Sequence, residues 1–200
     1  MLDNTEFVVK FCPDIDDGDT FIYTEMLDRG KKKGNNGNRL LKTFYHRSKE
    51  EFLEQVPVIK KLCDMASIRA CTRLAPKSYR TVGKFYTKMV VEAALTDNYA
   101  GMKSLYNRAC GTAAPISKIW LFDVDLMADR TKEFGDRVEQ AGHLLARIPS
   151  KKGVHYVSKP FDTRIIEQWY RELGINLTGV DEISLHKDNP TNLYIPDNAD

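Results

Sequence analysis

An excess of charge of either sign is missing from this sequence: 30 Lys and Arg stand against 28 Asp and Glu, a net of +2 over 200 residues. A global field that would draw the chain to nucleic acid or a membrane surface is thereby excluded, and any basic surface must be local. Cysteine is sparse. Cys12, Cys63, Cys71 and Cys110 show neither the close pairs of a zinc site nor the density of a disulfide scaffold, which points to structural thiols in a reducing compartment. No stretch approaches the ~18 consecutive apolar residues of a membrane span, and residues 1–5 carry no apolar core of signal-peptide type. The expectation is a soluble cytoplasmic protein without a membrane partner. Internal repeats are absent too, and the one biased tract is "DRGKKKGNNGNR" (28–39), a basic loop containing Lys31, Lys32 and Lys33. Such a loop is either a solvated linker or a phosphate contact.

What is present, 42% hydrophobic and 29% charged residues, suffices for one compact unit with a real core. Residues 6–11 read as a short strand, followed by an acidic loop (Asp14, Asp16, Asp17, Asp19), broken by Pro13 and Gly18, and then by a second apolar stretch at 21–27. After a strand at 40–46, Ser48 and Glu51 form a capping box for a helix to about residue 66, its inner side built from Phe52, Val56, Ile59 and Leu62 or Cys63. Alternation over 68–74 puts Arg69 and Arg73 on one face, where they meet phosphate or guard a sheet edge against aggregation. Pro76 predicts a helix start, with a second helix over 102–110. The small-residue connector 111–117 marks a boundary between two lobes, 1–112 and 113–200. Beyond it come a strand (118–126), a helix (129–146), a hairpin (147–159), a helix (163–173, stopped by Gly174) and an extended segment to about Pro196.

The stretch "LFDVDLM" (121–127) places two carboxylates inside an apolar run. On a strand, Trp120, Phe122 and Val124 point one way while Leu121, Asp123 and Asp125 point the other. Leaving two such acids unpaired against an apolar sheet costs several kcal/mol, which metal binding, pairing or protonation relieves. Hard oxygen ligands suit magnesium or manganese; pairing with arginines such as Arg130 or Arg164 is the alternative. Downstream, "PSKKGVHYVSKPF" (149–161) sets Ser150, Gly153 and His155 in a Ser-any-any-Gly-any-His spacing among Lys151, Lys152 and Lys159. Glycine there permits a positive φ and close approach of the backbone to a ligand. Val154 and Tyr156 face the core and aim His155 at the opposite surface. A hydroxyl, backbone amides, an imidazole and lysines suit a triphosphate; a plain polar turn is the other reading.

Taken together, "WLFDVD" and "SKKGVHYV" resemble the first two motifs of the catalytic core of the archaeo-eukaryotic primase, or primase-polymerase, superfamily, and "GVDEISLHKDNPTNLYIP" is the candidate third. "KKGVHYVSKPF" and "NPTNLY" are also similar to stretches of uncharacterised bacteriophage proteins, so the resemblance is to a phage-type member. It implies an α/β (α+β) fold, in which a metal-binding, antiparallel sheet of RRM or ferredoxin type over 113–200 accompanies the N-terminal α/β lobe. It further implies a nucleotidyltransferase acting in DNA replication. Asp123, Asp125 and Asp181 hold Mg2+ or Mn2+ as metal ligands and catalytic acids, with Glu182 and Asp188 as substitutes for Asp181. His155, with Ser150, Lys152, Gly153 and Lys159, binds the nucleotide triphosphate. Two ions ~3.5 to 4 Å apart would then activate a 3′ hydroxyl and stabilise departing pyrophosphate. Arg69, Arg73 and Lys31–Lys33 are the expected nucleic-acid contacts, and a helicase or replisome component the expected partner. His186, Lys187 and Thr191 are further substrate contacts, unless Asn189 and Pro190 simply form a turn.

Two rivals fit the same residues. "FDVD" also resembles the first motif of haloacid-dehalogenase-type phosphatases, with Asp123 as nucleophile, Asp125 as acid and Lys159 as phosphate ligand, although Leu126 and Met127 depart from that pattern. The second rival is a non-catalytic, primase-like nucleic-acid-binding or regulatory protein.

Overall fold

The computed structural model describes residues 1–28, 39–175, 182–188 and 190–199; Lys31, Lys32, Lys33, Asp181 and Asn189 lie outside them. Its strands form two antiparallel sheets, each layered with helices, in a mixed α/β architecture. The first sheet contains β1 (Leu2–Asp3), β2 (Thr20–Asp28), β3 (Arg39–His46), β4 (Arg69–Ser78) and β9 (Thr191–Ile195), in the order β1-β9-β4-β2-β3. The second contains β5 (Trp120–Val124), β6 (Leu144–Pro149), β7 (Val154–Ser158) and β8 (Ile183–His186), in the order β6-β7-β5-β8. With α5 (Asp129–Gln140) after β5 and α6 (Thr163–Leu173) after β7, its connectivity is β-α-β-β-α-β, the split arrangement of ferredoxin type. The boundary expected near residue 113 falls between α4 (Leu105–Thr112) and β5. The last strand nevertheless returns to the first sheet, where β9 lies between β1 and β4.

Period-2 patterning explains how the second sheet is oriented. Trp120, Phe122, Val124, Tyr156 and Ile183 pack with Phe134 and Val138 of α5 and Ile166 and Tyr170 of α6. The opposite face meets the first sheet: Ile148 and Val157 join Ile22, Met26, Leu74 and Leu193, beneath Phe52, Val56, Ile59 and Cys63 of α2 (Lys49–Ala66). Phe21 and Tyr23 cover the far side of the first sheet against Val82 of α3 (Tyr79–Leu95) and Ala109 and Cys110 of α4. All four cysteines are buried outside any disulfide; burial pushes the Cys12 and Cys63 thiols up to about 12 and Cys110 to about 11, so these three are protonated core residues. Among the described residues no helix is long and apolar enough to cross a membrane.

Three local expectations fail for identifiable reasons. Residues 6–11 are helical, in α1 (Thr5–Val8) and a 3-10 turn (Val9–Phe11), because the Asn4 carbonyl accepts from the amides of Phe7 and Val8. Pro76 lies within β4 at a register irregularity, where a missing N–H is tolerated; its carbonyl accepts from Ile116, and α3 opens three residues later on the Ser78 hydroxyl. The helix begun at Asp129 stops at Gln140, and Gly142, at φ 73°, turns the chain into β6. Ser48 does cap α2, accepting from the Glu51 amide at 3.1 Å.

Two buried positions yield predictions. On α5, Gly135 faces the Tyr156 ring so closely that an added Cβ would lie 2.4 Å from Cζ. That ring is 1% exposed and tethered by its hydroxyl to the Thr131 carbonyl, so it has little room to yield. Gly135→Ala is expected to destabilise the fold by about 1–3 kcal/mol despite alanine's better helix propensity, as read from urea denaturation. On β3, His46 is fully buried, its Nε2 2.8 Å from Thr24 Oγ1, which in turn lies 2.8 Å from Thr72 Oγ1. Burial pulls its pKa down from 6.5 to about 4. The unfolded chain therefore binds the extra proton between those values, so stability should fall as pH drops from about 6.5 to 4, by at most about 3 kcal/mol. Thermal unfolding across that range should show the slope in wild type and a flatter one in His46→Gln.

Candidate functional site

The two central motifs converge on adjacent strands. In the β5/β7 ladder Asp123 is the register partner of His155, and in the β5/β8 ladder it is opposite Ser184. His155 Nε2 lies 3.2 Å from Asp123 Oδ1, and its Nδ1 lies 2.7 Å from Oγ1 of Thr191, the first residue of β9. An ionised carboxylate only accepts, which assigns the proton to Nε2 and leaves Nδ1 to accept from the Thr191 hydroxyl in the neutral ring. The imidazole side chain is 7% exposed and the Asp123 side chain 36%. Solvent and solutes therefore reach the carboxylate while the histidine supports it from behind. His155 had been expected on an outer surface; it is instead turned inward because its face of β7 packs on the first sheet.

Asp125 follows the end of β5 and is exposed. Facing it is the turn at 150–153, closed by the Gly153 amide donating to Ser150 Oγ and the Ser150 amide donating to the Gly153 carbonyl, both at 3.0 Å. The glycine at 153 is demanded by close packing. A Cβ there would stand 1.9 Å from the Val124 carbonyl oxygen, whereas its φ is not among the positive ones, so the backbone it approaches is that of β5. Lys152 is exposed on this turn, while Lys151 Nζ donates to the Ala199 carbonyl at 3.0 Å. The structure thus brings Asp123, Asp125, Ser150, Lys152, Gly153 and His155 to one end of the second sheet.

Other expected residues are elsewhere. Lys159 lies beyond the opposite end of β7, roughly 13 Å along the strand from His155 at ~3.3 Å per residue. Arg69 is buried on β4, which is a central strand and not a sheet edge. Arg73 Nε sits 3.3 Å from Glu25 Oε2, and its Nη1 donates to the Asp188 carbonyl. Of the substitutes for the third acid, Glu182 precedes the Val124–Ile183 register pair, beside Asp125, and is held by the Arg130 guanidinium. Asp188 belongs with the first sheet, 3.0 Å from Lys77 Nζ. Sequence reasoning weighed Thr191 as a substrate contact and missed its bond to His155.

Among the described residues no three His, Cys, Asp or Glu side chains are grouped to hold a metal. Magnesium, however, commonly takes one or two carboxylates and completes its shell with water and substrate phosphate oxygens. Two hard carboxylates at a solvent-reached strand end fit that pattern. Comparisons of the chain with protein families, curated proteins and solved structures found no match.

Proposed function

We propose that this protein is a nucleotidyltransferase of primase-polymerase type, using a divalent cation and nucleotide triphosphates on a nucleic-acid substrate. The observation that carries the reading is the Asp123–His155 contact: residues from the two motifs, 32 positions apart, are cross-strand partners 3.2 Å apart, with the glycine turn packed on the same strand end. Asp123 and Asp125 would hold Mg2+ or Mn2+. When bound, that ion supplies charge stabilisation to phosphoryl oxygens and eases deprotonation of an attacking hydroxyl. Ser150 and Lys152 would orient the triphosphate, and His155, held by Thr191, would keep the Asp123 carboxylate in place for the ion. Alignment and charge stabilisation do the work, without a covalent enzyme intermediate.

The test incubates the full chain with manganese, labelled nucleotide triphosphates and primed or unprimed template, alongside a chromogenic phosphate ester. Metal-dependent incorporation supports the reading, and ester hydrolysis alone would replace it with the phosphatase. The position of Lys159 weighs against that phosphatase. A non-catalytic nucleic-acid-binding role is favoured by one observation, that Glu182 and Asp188 are each engaged by a cation. That role predicts nucleic-acid affinity indifferent to metal and to loss of Asp123.

A further inference from the structure

The chain passes from the second sheet to the first through the stretch after His186, the last residue of β8, and before Thr191, the first of β9. Two consecutive side chains in that stretch reach to different sheets. Lys187 Nζ lies 5.6 Å over the Trp120 ring of β5. Asp188 turns the other way: its Oδ2 accepts from Lys77 Nζ of β4 at 3.0 Å, and its carbonyl accepts from Arg73 Nη1. Lys77 has a fully buried side chain, and its ammonium also donates to the Ala113 carbonyl at 2.7 Å. A charge at that depth persists only with acceptors fixed around it, which makes the pair an anchor of defined geometry. Three residues past Asp188, a reach of at most ~10 Å, is Thr191, whose hydroxyl holds His155. Pro190 fixes φ between anchor and hydroxyl.

We propose that Asp188 and Lys77 are positioning residues: their ion pair locks the crossover so that Thr191 holds His155 on Asp123. The inference rests on the reading of Asp123 and His155 as the functional site. It assigns Asp188 a role on the first sheet in place of metal ligation. The anchor and the site lie on different sheets, and Thr191 is also the register partner of Thr72 on β4, the strand that carries Lys77, so the coupling runs through the first sheet and one hydroxyl.

The test is long-range proton–nitrogen NMR of the histidine rings in the full chain, with neither metal nor nucleotide added. Wild type should show His155 as the Nε2–H tautomer with a slowly exchanging ring proton. In Asp188→Ala, and in Lys77→Met/Asp188→Ala where no buried charge is left uncompensated, the backbone spectrum of both sheets should persist. The His155 signal in both should move toward averaged tautomers, with ring-proton exchange faster by about tenfold or more. Thr191→Val should reproduce the change. A folded double variant with the wild-type His155 signature overturns the proposal. So does an unfolded double variant, because the pair would then be a plain stability element. The readout requires no activity, so an absence of nucleotide incorporation would count against the proposed function alone.

Discussion

Asp123→Ala is expected to abolish metal-dependent nucleotide incorporation while leaving the fold intact. The side chain is 36% exposed and lies on the strand face opposite the Trp120, Phe122 and Val124 core, so its removal opens no cavity under the helices. Two contributions vanish with it. One is a hard oxygen ligand at the strand end; electrophilic stabilisation by a bound divalent ion amounts to several kcal/mol, and at 1.36 kcal/mol per tenfold its loss lowers the rate roughly 10³-fold or more. The other is the acceptor at His155 Nε2, without which the ring is oriented by Thr191 alone. Incorporation rates at saturating manganese, beside circular dichroism to verify folding, check the prediction. An unchanged rate in a folded variant would sink the nucleotidyltransferase reading.

Gly153→Ala should have the second-largest effect, in both stability and activity. The neighbour that a Cβ would strike at 1.9 Å is a backbone carbonyl at the end of β5, with no rotamer to change. Either β7 shifts away from β5, weakening the Val124–Val154 end of the ladder, or the turn at 150–153 rotates off the strand. Overpacking of this kind costs about 1–3 kcal/mol or more. Displacement of the turn by about 1 Å from the acids would reduce incorporation roughly 10²-fold. Chemical denaturation and the incorporation assay read the two effects separately, and wild-type values in both would show that the turn is free to move.

Much of the second sheet was legible because its patterning is simple. Alternation in "WLFDVDL" correctly separated the core face from the acid face, and the strand, hairpin and helix signals from 118 to 174 yielded the β-α-β-β-α part of the order, while β8 was contained in an undivided extended segment. Gly153 was recognised as a tight spot for the wrong reason, since glycine signals close approach without saying to what. The histidine's surroundings were hidden for a different cause. Its orientation depends on Thr191, 36 residues away, and on β9 crossing to the other sheet, neither of which leaves a local periodic trace. The arginines of β4 looked like nucleic-acid contacts because alternation reports a shared face but not what covers it. Glu25 and Asp188 occupy the guanidinium of Arg73.

Asp123, Asp125 and the glycine turn are expected to share a cation and a triphosphate. Paramagnetic broadening of backbone amides by substoichiometric manganese, in the presence of a nucleoside triphosphate, tests it most directly. Amides of Asp123, Asp125, Gly153 and His155 should broaden first, and the effect should disappear in Asp123→Ala. Broadening that spares these residues and gathers on the acidic loop around Asp16, Asp17 and Asp19 would contradict the account.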